Sequence, residues 1–144
     1  MTSRLGDLPT PCLILDRDKL ERNLAIMSAA VRRHGVALRP HMKTAKSADV
    51  ARLATAGEAG GITVSTLAEA EYFAAAGFRD ILYAVAIVPA KLDRAAALRR
   101  SGVDLEIVTD DPATAAAVAA HARATGADHR VLVEVDCGEH RSGM

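Results

Sequence analysis

Five times along this chain a short apolar run gives way to a longer segment with helical spacing. "CLIL" precedes "DRDKLERNLAIMSAAVRRHG", in which Leu20, Leu24, Met27 and Val31 recur at helical intervals. "VALRPH" leads to "SADVARLATAG", "GITVS" to "TLAEAEYFAAAG", "DILYAV" to "PAKLDRAAALRRSG", and "DLEIVT" to "DPATAAAVAAHARATG". "HRVLVEVD" ends the series. Asp16 is placed to cap the first helix and Gly35 to end it, while Gly57, Gly77, Gly102 and Gly126 sit where later helices should close. Pro89 and Pro112 fall near helix starts, where a missing N–H costs nothing.

Apolar strands separated by helices are expected to be parallel and buried on both faces, so the fold class is α/β. No linker or low-complexity segment divides the chain. Two architectures satisfy the pattern, an open doubly wound sheet and part of a (β/α)8 barrel. The open sheet calls for a glycine-rich phosphate loop after its first strand, and "DRDKLERN" contains no glycine. The barrel gathers polar groups at the C-terminal ends of successive strands. Those ends carry Lys43, then Ser65 and Thr66, then Asp110 and Asp111, then "DCGEHRSGM". The barrel is therefore the expected architecture.

Composition narrows the function. Half the residues are hydrophobic, and no run is long enough to cross a bilayer. Eighteen basic against eighteen acidic side chains provide no field for a nucleic acid or a membrane surface, and four aromatic residues leave little for base stacking. A small-molecule ligand is expected. Cys12 and Cys137 are too few for a disulfide scaffold and suit a reducing, cytoplasmic compartment as free thiols.

Lys43 stands where the apolar run "VALRPH" ends. In a barrel mouth, desolvation and nearby cations favour a neutral, nucleophilic amine able to hold an aldehyde as a Schiff base. The same position also suits a solvated lysine at a helix start, and Lys46 shares that reading. His41 precedes Lys43 by two residues and so shares its strand face, to stack on a ligand or to satisfy a buried polar contact. Ser65 and Thr66 open a helix, where capping and anion binding are both open. Glu69 and Glu71 need no role beyond the helix dipole. Cys137, Glu139 and His140 cannot easily converge on one metal ion from a strand-to-loop turn.

The segments "TPCLILD", "RPHMKTAK", "GITVSTLAEAEYFAAAGFRDILYA" and "VEVDCGEHRSGM" together resemble the pyridoxal-phosphate enzymes of the alanine-racemase-like barrel type, in their D-threonine aldolase and D-serine dehydratase branch. The resemblance covers the whole chain. It implies that residues 1–144 are the N-terminal part of a pyridoxal-phosphate-binding (β/α)8 barrel domain, with the rest of the barrel and a C-terminal β domain absent. It implies Lys43 as the catalytic residue that forms the Schiff base. It implies Arg141 near the cofactor's phenolic oxygen, and His41 and Thr66, from their positions, are the further residues expected to bind cofactor. No metal ligand is expected in these residues, a divalent metal belonging to residues of the full-length protein.

The implied activity is a lyase of the D-serine dehydratase or D-threonine aldolase kind acting on a small D-amino acid. An amino-acid racemase and a non-catalytic pyridoxal-phosphate homeostasis protein remain the alternatives. The resemblance further implies a homodimer for the full-length form, with neither nucleic acid nor membrane as partner. Where the family motif has a histidine, this chain has Ala45, so whatever proton transfer or hydrogen bond that histidine provides is lost. Five of eight barrel strands are counted in the sequence, so 1–144 alone is expected to be inactive.

Overall fold

The computed structural model describes residues 4–144. Helix α1 (Arg17–Arg33) starts where the Asp16 carboxylate accepts the Lys19 N–H at 3.0 Å. The same device recurs at α2 (Ala48–Thr55), capped by Ser47, and at α3 (Leu67–Ala75), capped by Thr66. It appears again at α5 (Pro112–Thr125), where Asp111 accepts from Ala113 and Thr114 N–H. Each cap fills one or two of the four donors a helix start leaves free. Helix α4 (Leu92–Arg100) is entered instead through a 3-10 turn at Pro89–Lys91. Gly35, Gly57, Gly77, Gly102 and Gly126 all adopt positive φ just past a helix, as expected.

Strands β1 (Ile62–Val64), β2 (Asp80–Ala86), β3 (Asp104–Thr109) and β4 (Arg130–Val133) form one parallel sheet in the order β1-β2-β3-β4. That order decides between the two architectures. A doubly wound sheet reverses direction at a switch point and places helices on both faces, whereas a barrel adds each strand beyond the last. Ile62, Val64, Ile81, Tyr83, Leu105 and Ile107 all pack into one core with Leu67, Phe73, Leu92, Leu98 and Val118 of the helices. The residues between them in sequence, Thr63, Leu82, Glu106 and Leu132, share the other sheet face, the barrel interior. Fully burying side chains such as Phe73 or Ile81 contributes about 1.5–3 kcal/mol each, against roughly 1 kcal/mol or less for an exposed ion pair. The sheet–helix layer therefore holds the fold.

Three expectations are corrected. "VALRPH" does not form a regular strand: only His41 bridges to Thr63 of β1, with Thr63 N–H donating to Pro40 O and Met42 N–H to Thr63 O. Pro40 has no N–H to offer a longer ladder. The strands are also not buried on both faces. Leu132 on the interior face is 44% exposed and Val133 on the opposite, helix-side face is 63% exposed, because β4 is an edge strand with no further strand beside it among the described residues. "CLIL" likewise forms no strand, and Leu13, Ile14 and Leu15 lie exposed before α1.

Candidate active site

The segment after the His41 bridge turns sharply and carries Lys43 at the C-terminal end of the sheet. Met42 anchors it, its side chain buried in the core. Lys43 N–H donates to Nδ1 of His41 at 3.2 Å. An Nδ1 that accepts leaves the ring proton on Nε2, and Nε2 lies 3.3 Å from Ser65 Oγ. Burial, and then the positive charge of Lys43, hold the imidazole below its ordinary value, so His41 is neutral near pH 7.

The two lysines differ in company. Lys46 Nζ lies 3.2 Å from Glu69 Oε1, whereas Lys43 has no carboxylate within ion-pair distance among the described residues. Glu69 also accepts the Ser65 N–H on Oε2 at 2.8 Å and donates its own N–H to Thr66 Oγ1 at 3.0 Å. Burial pushes the Glu69 carboxyl up, but the Ser65 N–H, Lys46 and the Thr66 N–H together pull it further down, so it stays ionised. Glu69 thus does more than complement a helix dipole. The signal for it was present as Thr66-x-x-Glu69, the spacing of a capping box, in which the glutamate reaches back to N–H groups before the helix.

Thr66 is first a cap, as its sequence position allowed, and its hydroxyl keeps its own proton for a second partner. The anticipated desolvation of Lys43 does not come from these residues, since its side chain is exposed among them.

Arg141 stands past β4, in a turn organised by Asp136. Asp136 Oδ1 accepts the Gly138 and His140 N–H groups at 2.8 and 3.1 Å, and Oδ2 lies 2.9 Å from His140 Nδ1. The two backbone donors hold the Asp136 carboxyl below the usual range. The tail folds back as Gly143 N–H donates to Asp110 at the end of β3 and Met144 N–H to Glu134 O. A side chain at Gly143 would collide with the Asp136 backbone, so glycine is required there. A hollow of about 210 Å3 opens beside Arg141, lined also by Glu134, Asp136, Cys137 and Ser142, and Lys43 does not line it. Cys137 is a free, exposed thiol whose Sγ donates to Val135 O, and His140 is taken up by Asp136.

Lys43 and Arg141 are not in contact. They lie at the same end of the sheet, Lys43 after the segment that bridges to β1 and Arg141 in the tail that follows β4 and folds back to the end of β3. An amine and a guanidinium without carboxylate partners, with a neutral imidazole beside the amine, form a donor set that fits an anionic aromatic aldehyde such as pyridoxal phosphate.

The family described as alanine racemase, N-terminal domain, matches residues 15–144. D-threo-3-hydroxyaspartate dehydratase of Delftia sp. (strain HT23) is 48% identical over 144 residues, covering all of this chain and 38% of that protein. The 3-hydroxy-D-aspartate aldolase of Paracoccus denitrificans is 39% identical over 141 residues, covering 96% of this chain and 36% of that protein. A solved structure of a D-threo-3-hydroxyaspartate dehydratase variant in the metal-free form superposes with a TM-score of 0.95 at 48% identity, covering 99% of this chain and 38% of that one. The chain thus spans somewhat more than a third of the length of the relatives it matches.

Proposed function

The chain belongs to the alanine racemase N-terminal domain family, and on that premise we propose that it is the first part of a pyridoxal-phosphate-dependent lyase acting on a small 3-hydroxy D-amino acid. Under this reading residues 1–144 begin the cofactor-binding barrel, and further sequence supplies its remaining strands and a C-terminal β domain. The observation that carries it is the pairing of an amine free of carboxylates, Lys43, with Arg141 at the same end of a singly wound sheet. The two relatives are named for dehydration and for aldol cleavage of 3-hydroxyaspartate, and both reactions break a bond next to or at the α-carbon.

Pyridoxal phosphate, when bound, supplies a ring that accepts the electron pair released at the α-carbon. Lys43 would hold the cofactor's aldehyde carbon through Nζ and exchange it for the substrate amine. His41 would present the face of a neutral ring whose Nε2 proton is spoken for by Ser65, so it positions and does not shuttle protons. Arg141 would direct N–H donors at the phenolic oxygen, and the Thr66 hydroxyl would offer a further donor. Ala45 supplies no titratable group beside Lys43, leaving proton transfer there to Lys43 itself. The assembled enzyme would be a cytoplasmic homodimer, and any divalent metal would be bound outside these residues.

The test is an assay of the full-length enzyme with D-threo-3-hydroxyaspartate, D-threonine and D-serine. Dehydration yields ammonia and a 2-oxo acid, aldol cleavage yields glycine and an aldehyde, and racemisation yields neither. Formation of the L-isomer alone would remove the lyase reading.

A further inference from the structure

Glu69 lies under the floor of the candidate site without reaching it. Its residue is 9% exposed, and its carboxylate divides its oxygens between two segments: Oε1 to the Lys46 ammonium at the end of the Lys43 turn, Oε2 to the Ser65 N–H after β1. Each segment bears on the site. Lys46 closes the turn begun at Met42, its N–H donating to Met42 O at 2.9 Å, in a left-handed conformation (φ 45°) that a lysine adopts only when held. Ser65 carries the hydroxyl that meets His41 Nε2.

We infer that Glu69 is a positioning residue: it fixes the direction in which Lys43 reaches and the plane of the His41 ring, and by engaging Lys46 it keeps the second amine of the motif away from the cofactor. The inference rests on the reading of Lys43 as the residue that holds pyridoxal phosphate. It supplies the discrimination that this reading needs, because two lysines three residues apart on one turn otherwise compete for the same aldehyde. Releasing Lys46 should both loosen the turn and add a competitor.

The experiment uses the full-length enzyme stripped of cofactor. Nζ of a lysine adds to the aldehyde carbon of added pyridoxal phosphate and water leaves; borohydride then delivers hydride to that carbon, and peptide mapping finds the labelled lysine. In the wild type the label belongs on Lys43. Glu69→Gln keeps an acceptor for Ser65 N–H and frees Lys46, and should slow the change in cofactor absorption on joining Lys43 by about tenfold. It should also move a measurable share of the label to Lys46. Lys46→Met breaks the same pair from an exposed side chain, so it tests the turn even if Glu69→Gln fails to fold; it should slow the step similarly with no second label. Lys46→Arg retains the pair and should restore the wild-type rate.

Wild-type label on Lys43 with unchanged rates and sites in Glu69→Gln and Lys46→Met would overturn the role of Glu69 while leaving the function standing. Wild-type label away from Lys43 would overturn both.

Discussion

Arg39 grips Asp80 with both guanidinium nitrogens, Nη1 to Oδ1 at 2.6 Å and Nη2 to Oδ2 at 3.1 Å, across the start of β1. The contact ties the segment that leads to Lys43 directly to β2, skipping the strand between them. It is possible because that strand is entered through Gly60 and Gly61. A Cβ on Gly60 would collide with the Leu38 carbonyl and one on Gly61 with the Asp80 backbone.

Gly61→Ala is therefore expected to cost about 2–3 kcal/mol of stability, because the Asp80 carbonyl it would meet is backbone and cannot turn aside, and the Asp80 carboxyl beside it is held by Arg39. Arg39→Ala should cost only about 1 kcal/mol, since the pair is part-exposed. Chemical denaturation of the two variants would show this order, and equal effects would mean that the ion pair and not the close approach fixes the segment.

Much of this architecture was legible because its determinants are local. Asp16, Ser47, Thr66 and Asp111 cap the helices they precede, and the glycines that follow the helices take the left-handed conformation. The strand order was inferable from the lack of a glycine loop and the polar strand ends. "VALRPH" was over-read as a strand because apolar periodicity does not register that Pro40 lacks a donor. Of the two Glu69 contacts, the reach back to the Ser65 N–H was signalled by Thr66-x-x-Glu69, whereas the pair with Lys46 was not, because that lysine lies on a different element brought close only by the fold. Position alone did not separate Lys43 from Lys46; in the fold only Lys46 meets a carboxylate, that of Glu69.

Lys43→Ala should abolish borohydride-trapped label in the full-length enzyme and, with both proteins stripped of cofactor, leave its thermal unfolding within a degree or two, because the side chain is exposed among the described residues. Peptide mapping and a melting curve on the same preparation check both halves. A Lys43→Ala protein still labelled at Lys46 would transfer the cofactor-holding role to Lys46.

Arg141 is exposed and has no carboxylate within ion-pair distance among the described residues, so it contributes little to folding. Arg141→Ala is expected to shift the bound cofactor's absorption and reduce turnover by about tenfold or more, with the melting temperature nearly unchanged. A variant with wild-type spectrum and rate but lower thermal stability would make Arg141 structural.

A polypeptide of residues 1–144 alone should associate. β4 offers a free edge, and Val131, Leu132, Val133 and Val135 are exposed together on and beside it. Sedimentation should find oligomers at micromolar concentration, and cofactor titration should find weak binding with no turnover of D-3-hydroxyaspartate, D-serine or D-threonine. A stable monomer would show that the interior face is satisfied without further strands.

The junction of α5 with β4 should loosen in mild acid. His129 Nε2 lies 2.9 Å from His121 Nδ1, and His121 Nε2 lies 3.0 Å from Asp93 Oδ1, so the His121 ring bridges His129 and Asp93. Burial, then His121, then Arg99 hold His129 below its ordinary value, with Asp128 opposing them weakly. A histidine whose value is depressed by folding stabilises the fold while both states are neutral, above the unfolded value of about 6.5. That contribution is lost as pH falls through the lower folded value, where His129 finally takes a proton beside His121 and Arg99. His129→Asn keeps a side-chain donor for His121 but cannot titrate. Amide hydrogen exchange at residues 126–133, followed from pH 7.5 down to 5 and corrected for the intrinsic rate, should accelerate in the wild type and stay flat in His129→Asn. His41 is depressed in the same direction but sits at the opposite end of the sheet, so acceleration confined to residues 41–47 would place the acid response there and sink the assignment to His129.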